Sequence, residues 1–281
     1  MRIPAIAAVV SLALLAAGGA HAAERAVDRT FTVSPGGTLI VDADSASVQV
    51  TSADTNRVSV RMIARGSEDQ LAAAKLDASQ SGNDVSITMR QRGVESWFSR
   101  SWTDGEIRVT VPKHFGIRVK TGGGDVEVTN TTGATSVKTS GGDIVVKSVN
   151  GNVDAQTSGG GILAEAIRGD VDADTSGGDI RLLKIDGKIR GNTSGGDVHC
   201  SLVGANRGII ATTSGGSIQV TLPRATTANF EATTSGGEFT SELPVLTTAM
   251  REGHARGTIN GGGEPIDART SGGDISLRAA N

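Results

Sequence analysis

The sequence repeats a variant of Thr-Ser-Gly-Gly-Asp-Ile eight times, and the first five copies follow one another at a fixed step of 18 residues. A fixed period of this size is typical of proteins that stack equivalent turns of chain, because a single repeat cannot bury its apolar face alone. The later steps are 20, 21 and 36 residues, and we expect the last step to contain one degenerate turn. The copies begin at Thr121, Thr139, Thr157, Thr175, Thr193, Thr213, Thr234 and Thr270.

Alignment of the copies places apolar residues in shared columns. One column holds Ile144, Ile162 and Ile180, and further apolar residues follow at spacings of two within each copy. Spacing by two is the periodicity of a β-strand with one buried face. Each turn therefore contains two short strands separated by glycine-containing corners. The sequence predicts an all-β protein, a parallel β-solenoid (β-helix) of about 18-residue coils with a β-rich N-terminal cap.

The same alternation assigns directions to the side chains of the motif. Thr157 has the parity of the buried Val153 column, so we expect the repeated threonine to point inward. Asp143 has the opposite parity to its neighbour and is expected to face solvent. The glycine pair fits a tight corner where neighbouring backbones approach and where a positive φ is available to glycine. Cys200 falls in an inward column and is expected to be buried, whereas His199 faces outward.

The N-terminal part lacks the motif but alternates strongly between apolar and polar residues. It predicts several strands and one short helix over residues 67–76, with Ser67 as its N-cap. We therefore expect three regions along the chain. These are a leader at residues 1–22, a β-rich cap or irregular first coils at 23–115, and the β-solenoid repeat region at 116–281.

The first 22 residues have the pattern of a signal peptide. A basic residue precedes an apolar run, and Ala20-His21-Ala22 has the small-x-small form that signal peptidase accepts. We therefore expect the protein to be exported, either to the periplasm or to the cell surface or the medium. We expect no membrane span after cleavage of the leader. The single cysteine, Cys200, excludes an intramolecular disulfide.

Charge and residue types narrow the classes of function. The formal net charge is −3, so the sequence lacks the excess of basic residues that is typical of nucleic-acid-binding proteins. The four histidines show no metal-ligand spacing, so we expect no cofactor and no catalytic residues. One column of outward-facing carboxylates resembles the repeated acidic positions that bind Ca²⁺ in some solenoid proteins. One carboxylate per coil supplies too few oxygens to coordinate Ca²⁺. That column contains Asp125, Asp143, Asp179, Asp197 and Asp274, with Gly161, Ser217 and Glu238 at equivalent positions.

One aromatic cluster departs from the repeat. Trp97, Phe98 and Trp102 are three of only seven aromatic residues, and Arg100 lies among them. Exposed aromatic clusters are typical of ligand or partner surfaces, and tryptophan can stack on sugar rings. These four residues are the candidate contact for an envelope glycan or a surface protein. The other interpretation is that the rings cover an open end of the solenoid.

The leader, the β-rich first part and the recurring T-S-G-G-D-[IV] coils together resemble the bacterial "putative adhesin" family, a domain of unknown function in envelope proteins. The resemblance covers most of the chain after the leader. It implies a solenoid with a non-enzymatic role in adhesion or envelope contact, and it implies no catalytic residues. A different class remains open: a polysaccharide-active lyase or hydrolase that uses acidic residues on the solenoid face.

Overall fold

The computed structural model describes residues 23–91, 104–251 and 253–280, and these are built almost entirely of strands. The predicted all-β solenoid with parallel coils is confirmed. The chain forms two compact units, divided in sequence between Thr132 and Gly133. The division predicted from the sequence, with a leader at 1–22, a cap at 23–115 and a repeat region at 116–281, stays a prediction, and the leader lies outside the described residues.

The N-terminal unit contains two sheets that mix parallel and antiparallel pairs. One sheet has the order β1-β4-β7-β3-β9 and the other has the order β8-β2-β6-β5, where the strands are β1 Ala23–Thr32, β2 Thr38–Ala43, β3 Ser47–Ala53, β4 Arg57–Gly66, β5 Ala74–Ser81, β6 Asp84–Gln91, β7 Asp104–Pro112, β8 Gly116–Thr121 and β9 Val126–Thr129. The inner pairs β2–β8 and β3–β9 are parallel, as in a coil of the solenoid. The outer strands β1 and β5 pair antiparallel with β4 and β6.

The helix of this unit, α1, spans Glu68–Ala73 and is shorter than predicted. Ser67 is its N-cap and forms a capping box with Gln70, as the sequence indicated. The helix ends early because Ala74 is already extended, and the Arg25 guanidinium donates to the carbonyls of Leu71 and Ala74 at 3.2 and 3.0 Å. These donors satisfy carbonyls that another helical turn would otherwise have used.

The C-terminal unit stacks its strands mainly in parallel. Ile144 pairs with Ile162 and Ile162 with Ile180, which confirms the 18-residue register predicted for this column. One sheet has the order β11-β13-β15-β17-β19-β25-β21 and the other β22-β23-β20-β24-β18-β16-β14-β12-β10. The strands are β10 Thr135–Lys138, β11 Ile144–Asn150, β12 Val153–Gln156, β13 Ile162–Arg168, β14 Val171–Asp174, β15 Ile180–Asp186, β16 Ile189–Asn192, β17 Val198–Leu202, β18 Ile209–Thr212, β19 Ile218–Leu222, β20 Ala228–Thr233, β21 Phe239–Ser241, β22 Val245–Arg251, β23 His254–Ile259, β24 Pro265–Arg269 and β25 Ile275–Ala279.

The core of the C-terminal unit is a stack of small and aliphatic side chains. Ile144, Ile162 and Ile180 are at most 2% exposed. Burial of each such side chain contributes about 1.5–3 kcal/mol, so the repeated columns carry much of the stability. Cys200 is buried and His199 is half-buried on the outer face, both as predicted.

The chain turns from one sheet to the other at the second glycine-containing corner of each coil, and just before it lies a left-handed residue that the sequence did not reveal. Ser148, Ala166 and Lys184 lie at successive 18-residue positions with φ of 56–58°. Gly151 and Gly169 follow them at φ of about 150°. The motif glycines were predicted to be candidates for a positive φ, but none of the pairs in the described coils has one. In the regular coils of this unit, residues with a positive φ therefore lie at or just before the corner that contains Gly151 or Gly169, and not at the corner formed by the motif glycines.

The C-terminal end does not follow the order predicted for the last two repeats. Strand β24 pairs in parallel with both β18 and β20, and β25 pairs with both β19 and β21. The last coil in sequence is therefore inserted between two earlier ones. The expected degenerate coil is instead an antiparallel hairpin of β22 and β23, with β23 antiparallel to β20. This segment lacks a Thr-Ser-Gly-Gly corner, and the chain reverses direction between β22 and β23.

The described part of the chain contains a single helix of six residues, α1. No helix within these ranges is long and apolar enough to cross a membrane.

Candidate functional site

The repeated motif forms a corner whose threonine hydroxyl links adjacent coils. Thr157 Oγ1 donates to the carbonyl of Gly142, fifteen residues earlier, at 2.9 Å. The same oxygen accepts from the backbone N–H of Gly160 at 3.4 Å, so it also closes its own corner. The other threonine-to-glycine bonds are Thr175 to Gly160, Thr193 to Gly178, Thr213 to Gly196, Thr270 to Gly216 and Thr234 to Gly273, at 2.7–2.9 Å. The inward threonine is confirmed, and its role is to satisfy buried carbonyls.

The second glycine of the motif is required because adjacent corners approach closely. A Cβ atom at Gly160 would lie 2.2 Å from the carbonyl oxygen of Gly142. At Gly178 the same atom would lie 2.2 Å from the carbonyl oxygen of Gly160. The first glycine is less constrained, since a Cβ at Gly159 would find its nearest neighbour at 3.5 Å. The closest approach of backbones is therefore at the second position, and the first glycine of later copies is constrained less severely, with nearest carbonyl oxygens at 3.0–3.3 Å.

The carboxylate column bonds to the next coil. Asp143 Oδ1 accepts from the N–H of Gly161 at 2.7 Å, and Asp197 Oδ1 accepts from the N–H of Ser217 at 2.7 Å. Asp179 and Asp274 accept from the N–H of Asp197 and Glu238 at 3.0 and 2.9 Å. Because the receiving coil contributes only its backbone, glycine or serine can stand in this column. Over the described ranges, no group of three His, Cys, Asp or Glu residues is placed to hold a metal ion.

A second carboxylate cluster lies on the outer face of the sheet that contains β12, β14 and β16. Register places Asp154 beside Asp172, and Asp172 beside Arg190. Burial raises the pKa of Asp172, and the charges of Asp174 and Asp154 raise it further, while Arg190 opposes them. Arg190 Nε lies 3.5 Å from Asp172 Oδ1. The cluster therefore lies on the outward face of adjacent strands of one sheet.

The cysteine and several polar side chains of the described ranges have local partners or are buried. Burial raises the pKa of the Cys200 thiol to about 12, so the thiolate that would act as a nucleophile is disfavoured. His254 Nδ1 lies 3.2 Å from the hydroxyl of Thr233, which places it in a local pair with a neighbouring strand. On the opposite sheet, Lys184 Nζ donates to Glu165 at 2.9 Å and lowers the pKa of that carboxyl. The Lys184–Glu165 contact joins adjacent coils.

The predicted aromatic contact lies outside the described residues. Trp97, Phe98, Arg100 and Trp102 belong to the sequence between the end of β6 at Gln91 and the start of β7 at Asp104. Strand β6 belongs to one sheet of the N-terminal unit and β7 to the other. Their role as a partner surface stays a prediction.

Parallel coils, inward threonines and glycine corners define a β-solenoid repeat protein. The family described as Toastrack DUF4097 matches residues 38–278, and the chain belongs to that family. No curated protein matches the chain.

Solved structures are similar to this chain at low sequence identity. The crystal structure of a "putative adhesin" from Bacteroides fragilis matches with a TM-score of 0.50 and 15% identity, covering 91% of this chain and 97% of that one. A "putative adhesin" from Parabacteroides distasonis gives a TM-score of 0.44 at 14% identity, covering 90% and 96%. A "putative lipid binding protein" from the same species gives 0.43 at 13% identity, covering 91% and 97%.

Proposed function

We propose that this chain is a non-enzymatic, exported adhesion or cell-envelope interaction module. The observation that carries the proposal is the use of the repeated polar groups. The threonine hydroxyls and aspartate carboxylates recur regularly, as the residues of a binding or catalytic surface could. They are hydrogen-bonded to the backbone of adjacent coils. They hold the stack together, and the unique parts of the chain are left to contact a partner.

The alternative, a lyase or hydrolase acting on polysaccharides, needs two or three carboxylates that converge in a groove. The carboxylate column does not provide this, because each of Asp143, Asp179, Asp197 and Asp274 accepts a backbone N–H of its neighbour. The solved protein from Bacteroides fragilis is called a "putative adhesin", which agrees with a binding role for that protein.

The proposed contact surface is the aromatic cluster of Trp97, Phe98, Arg100 and Trp102. Tryptophan rings offer a large apolar face for a sugar ring, and the arginine guanidinium adds hydrogen-bond donors for hydroxyls or acidic groups. The proposed location, periplasmic or at the cell surface, rests on the leader at residues 1–22.

The experiment is co-sedimentation of the protein without residues 1–22 with purified peptidoglycan. We expect the double variant Trp97→Ala/Trp102→Ala to lose at least tenfold in affinity. Phe31→Ala is the matched control, because Phe31 is a partly exposed aromatic residue on β1. Unchanged binding by the double variant would overturn the aromatic contact, and absence of binding by the wild-type protein would overturn the glycan ligand.

A further inference from the structure

The corner formed by residues 234–239 is the last of its stack. Because β25 is inserted between β19 and β21, this corner has a neighbouring coil on one side only. On that side its bonds are complete: Thr234 Oγ1 donates to the carbonyl of Gly273 at 2.7 Å, and the N–H of Ile275 donates to the carbonyl of Glu238 at 2.9 Å. On its other side, the β22–β23 hairpin covers Thr234, and the rest of the corner faces an open cleft.

The earlier corners show which groups the open side leaves unpaired. In each of them the carbonyl of the second glycine accepts from the threonine of the next coil, as Gly178 does from Thr193. The N–H after the acidic position donates to the next coil, as Ile180 does to the carbonyl of Asp197 at 2.9 Å. At the last corner these groups are the carbonyl of Gly237 and the N–H of Phe239. Neither is bonded to any residue of the described ranges.

An open cleft of about 990 Å³ lies against this corner and is lined by residues of the corner and of the β22–β23 hairpin. Its lining is mostly polar, but two large apolar side chains, Phe239 and Met250, are part of it. Phe239 stacks on Phe230 with ring centroids 5.3 Å apart, yet it remains partly exposed, whereas the isoleucines of the same column are buried. Met250 also lines the cleft and is 71% exposed.

The hairpin extends one of the two sheets past this corner, so that β22 is its edge strand, whereas the other sheet ends at β21. Strand β23 pairs antiparallel with β20, and the N–H of Thr234 donates to the carbonyl of Gly253 at 2.7 Å. In earlier coils this N–H donates to the residue before the next threonine, so Gly253 takes the place of that residue. Strand β21 has no such cover and is an edge strand of its sheet. An uncovered edge is a template for a further strand.

We propose that this terminal corner binds an extended segment of another protein, added as a parallel strand along β21. The segment would place a hydroxyl on the carbonyl of Gly237, a backbone carbonyl on the N–H of Phe239 and an apolar side chain against the Phe239 ring. Addition of a strand to a sheet edge is an established mode of peptide recognition. The pattern required is that of the coils themselves: a threonine or serine, any residue, two glycines, any residue, and then an apolar residue. This site is independent of the aromatic cluster.

The probe is a synthetic peptide of residues 175–186, TSGGDIRLLKID, which makes these bonds in its own place in the stack. Binding to the protein without residues 1–22 is measured by fluorescence anisotropy of the labelled peptide. The informative variant is Phe239→Pro, which removes the outward N–H and leaves the inward ladder to β25 intact, since proline is tolerated at a sheet edge. Phe239→Leu is the matched control, because it also loses the ring but keeps the N–H.

We expect Phe239→Pro to bind the peptide at least tenfold more weakly than Phe239→Leu, with thermal unfolding showing both variants folded. A peptide with Thr175→Val should bind several-fold more weakly because it lacks the hydroxyl. A peptide with Gly178→Ala should not bind, since its Cβ would meet the facing carbonyl. Equal binding by the two variants, no binding of the parent peptide, or self-association of the chain through this edge in place of peptide binding would overturn the proposal.

Discussion

The hydroxyl of Thr175 donates to the carbonyl of Gly160 at 2.8 Å, and the two residues belong to successive coils. The carbonyl is part of a corner whose backbone lies against the next corner, so water has little access to it. The threonine therefore does more than fill the interior, because it supplies the donor that this carbonyl needs. The recurrence of threonine at the first motif position follows from this bond.

Thr175→Val should destabilise the protein by about 1–3 kcal/mol, because the carbonyl of Gly160 loses its donor while the shape of the side chain is kept. Thr175→Ser retains the hydroxyl and loses only a methyl group, so we expect a smaller cost. The free energy of unfolding from urea denaturation measures both. A valine variant as stable as the wild-type protein would show that the hydroxyl contributes nothing.

The sequence predicted the columns of the solenoid because parity alone determines them. Ile144 and Ile162 share a column, and Thr157 points inward, whatever the order in which coils stack. The insertion of β24 between β18 and β20 could not be predicted, since either order keeps the same residues buried. The pairing of Asp143 with the N–H of Gly161 was also missed, because the outward parity of Asp143 suggested only solvent.

Gly160→Ala should destabilise the protein by about 1–3 kcal/mol, because the new Cβ would lie 2.2 Å from the carbonyl oxygen of Gly142 and the backbone must move. The matched control is Gly159→Ala, whose Cβ meets nothing closer than 3.5 Å. We expect the control to lie within about 0.5 kcal/mol of the wild-type protein. Equal effects in urea denaturation would contradict the close approach of the corners.

Asp197→Ala should lower the free energy of unfolding by about 1–3 kcal/mol, because the N–H of Ser217 loses an acceptor at 2.7 Å. Asp197→Asn keeps a side-chain oxygen at this position and should cost less. Since the column bonds to backbone, we expect millimolar Ca²⁺ and its removal by a chelator to leave the thermal midpoint unchanged. A rise of several degrees with Ca²⁺ that disappears in Asp197→Ala would show a metal site instead.

The pH dependence of stability should carry a contribution from Asp172. Its pKa in the folded protein is raised above the ordinary value of 3.8, first by burial and then by the neighbouring Asp174. Between 3.8 and the raised value the folded state holds more protons than the unfolded state, so this residue makes stability fall as pH rises through that window. Above the window the loss is complete and stays constant.

Asp172→Asn removes the ionisation and should therefore stabilise the protein more at pH 7 than at pH 3, relative to the wild-type protein at the same pH. The loss of the pair with Arg190 opposes this gain, but that pair is solvent-exposed and weak. Asp77→Asn, at an exposed position on β5, makes the same charge change as a control. Urea denaturation at both pH values gives the comparison, and a difference between wild type and Asp172→Asn that is independent of pH would contradict the raised pKa.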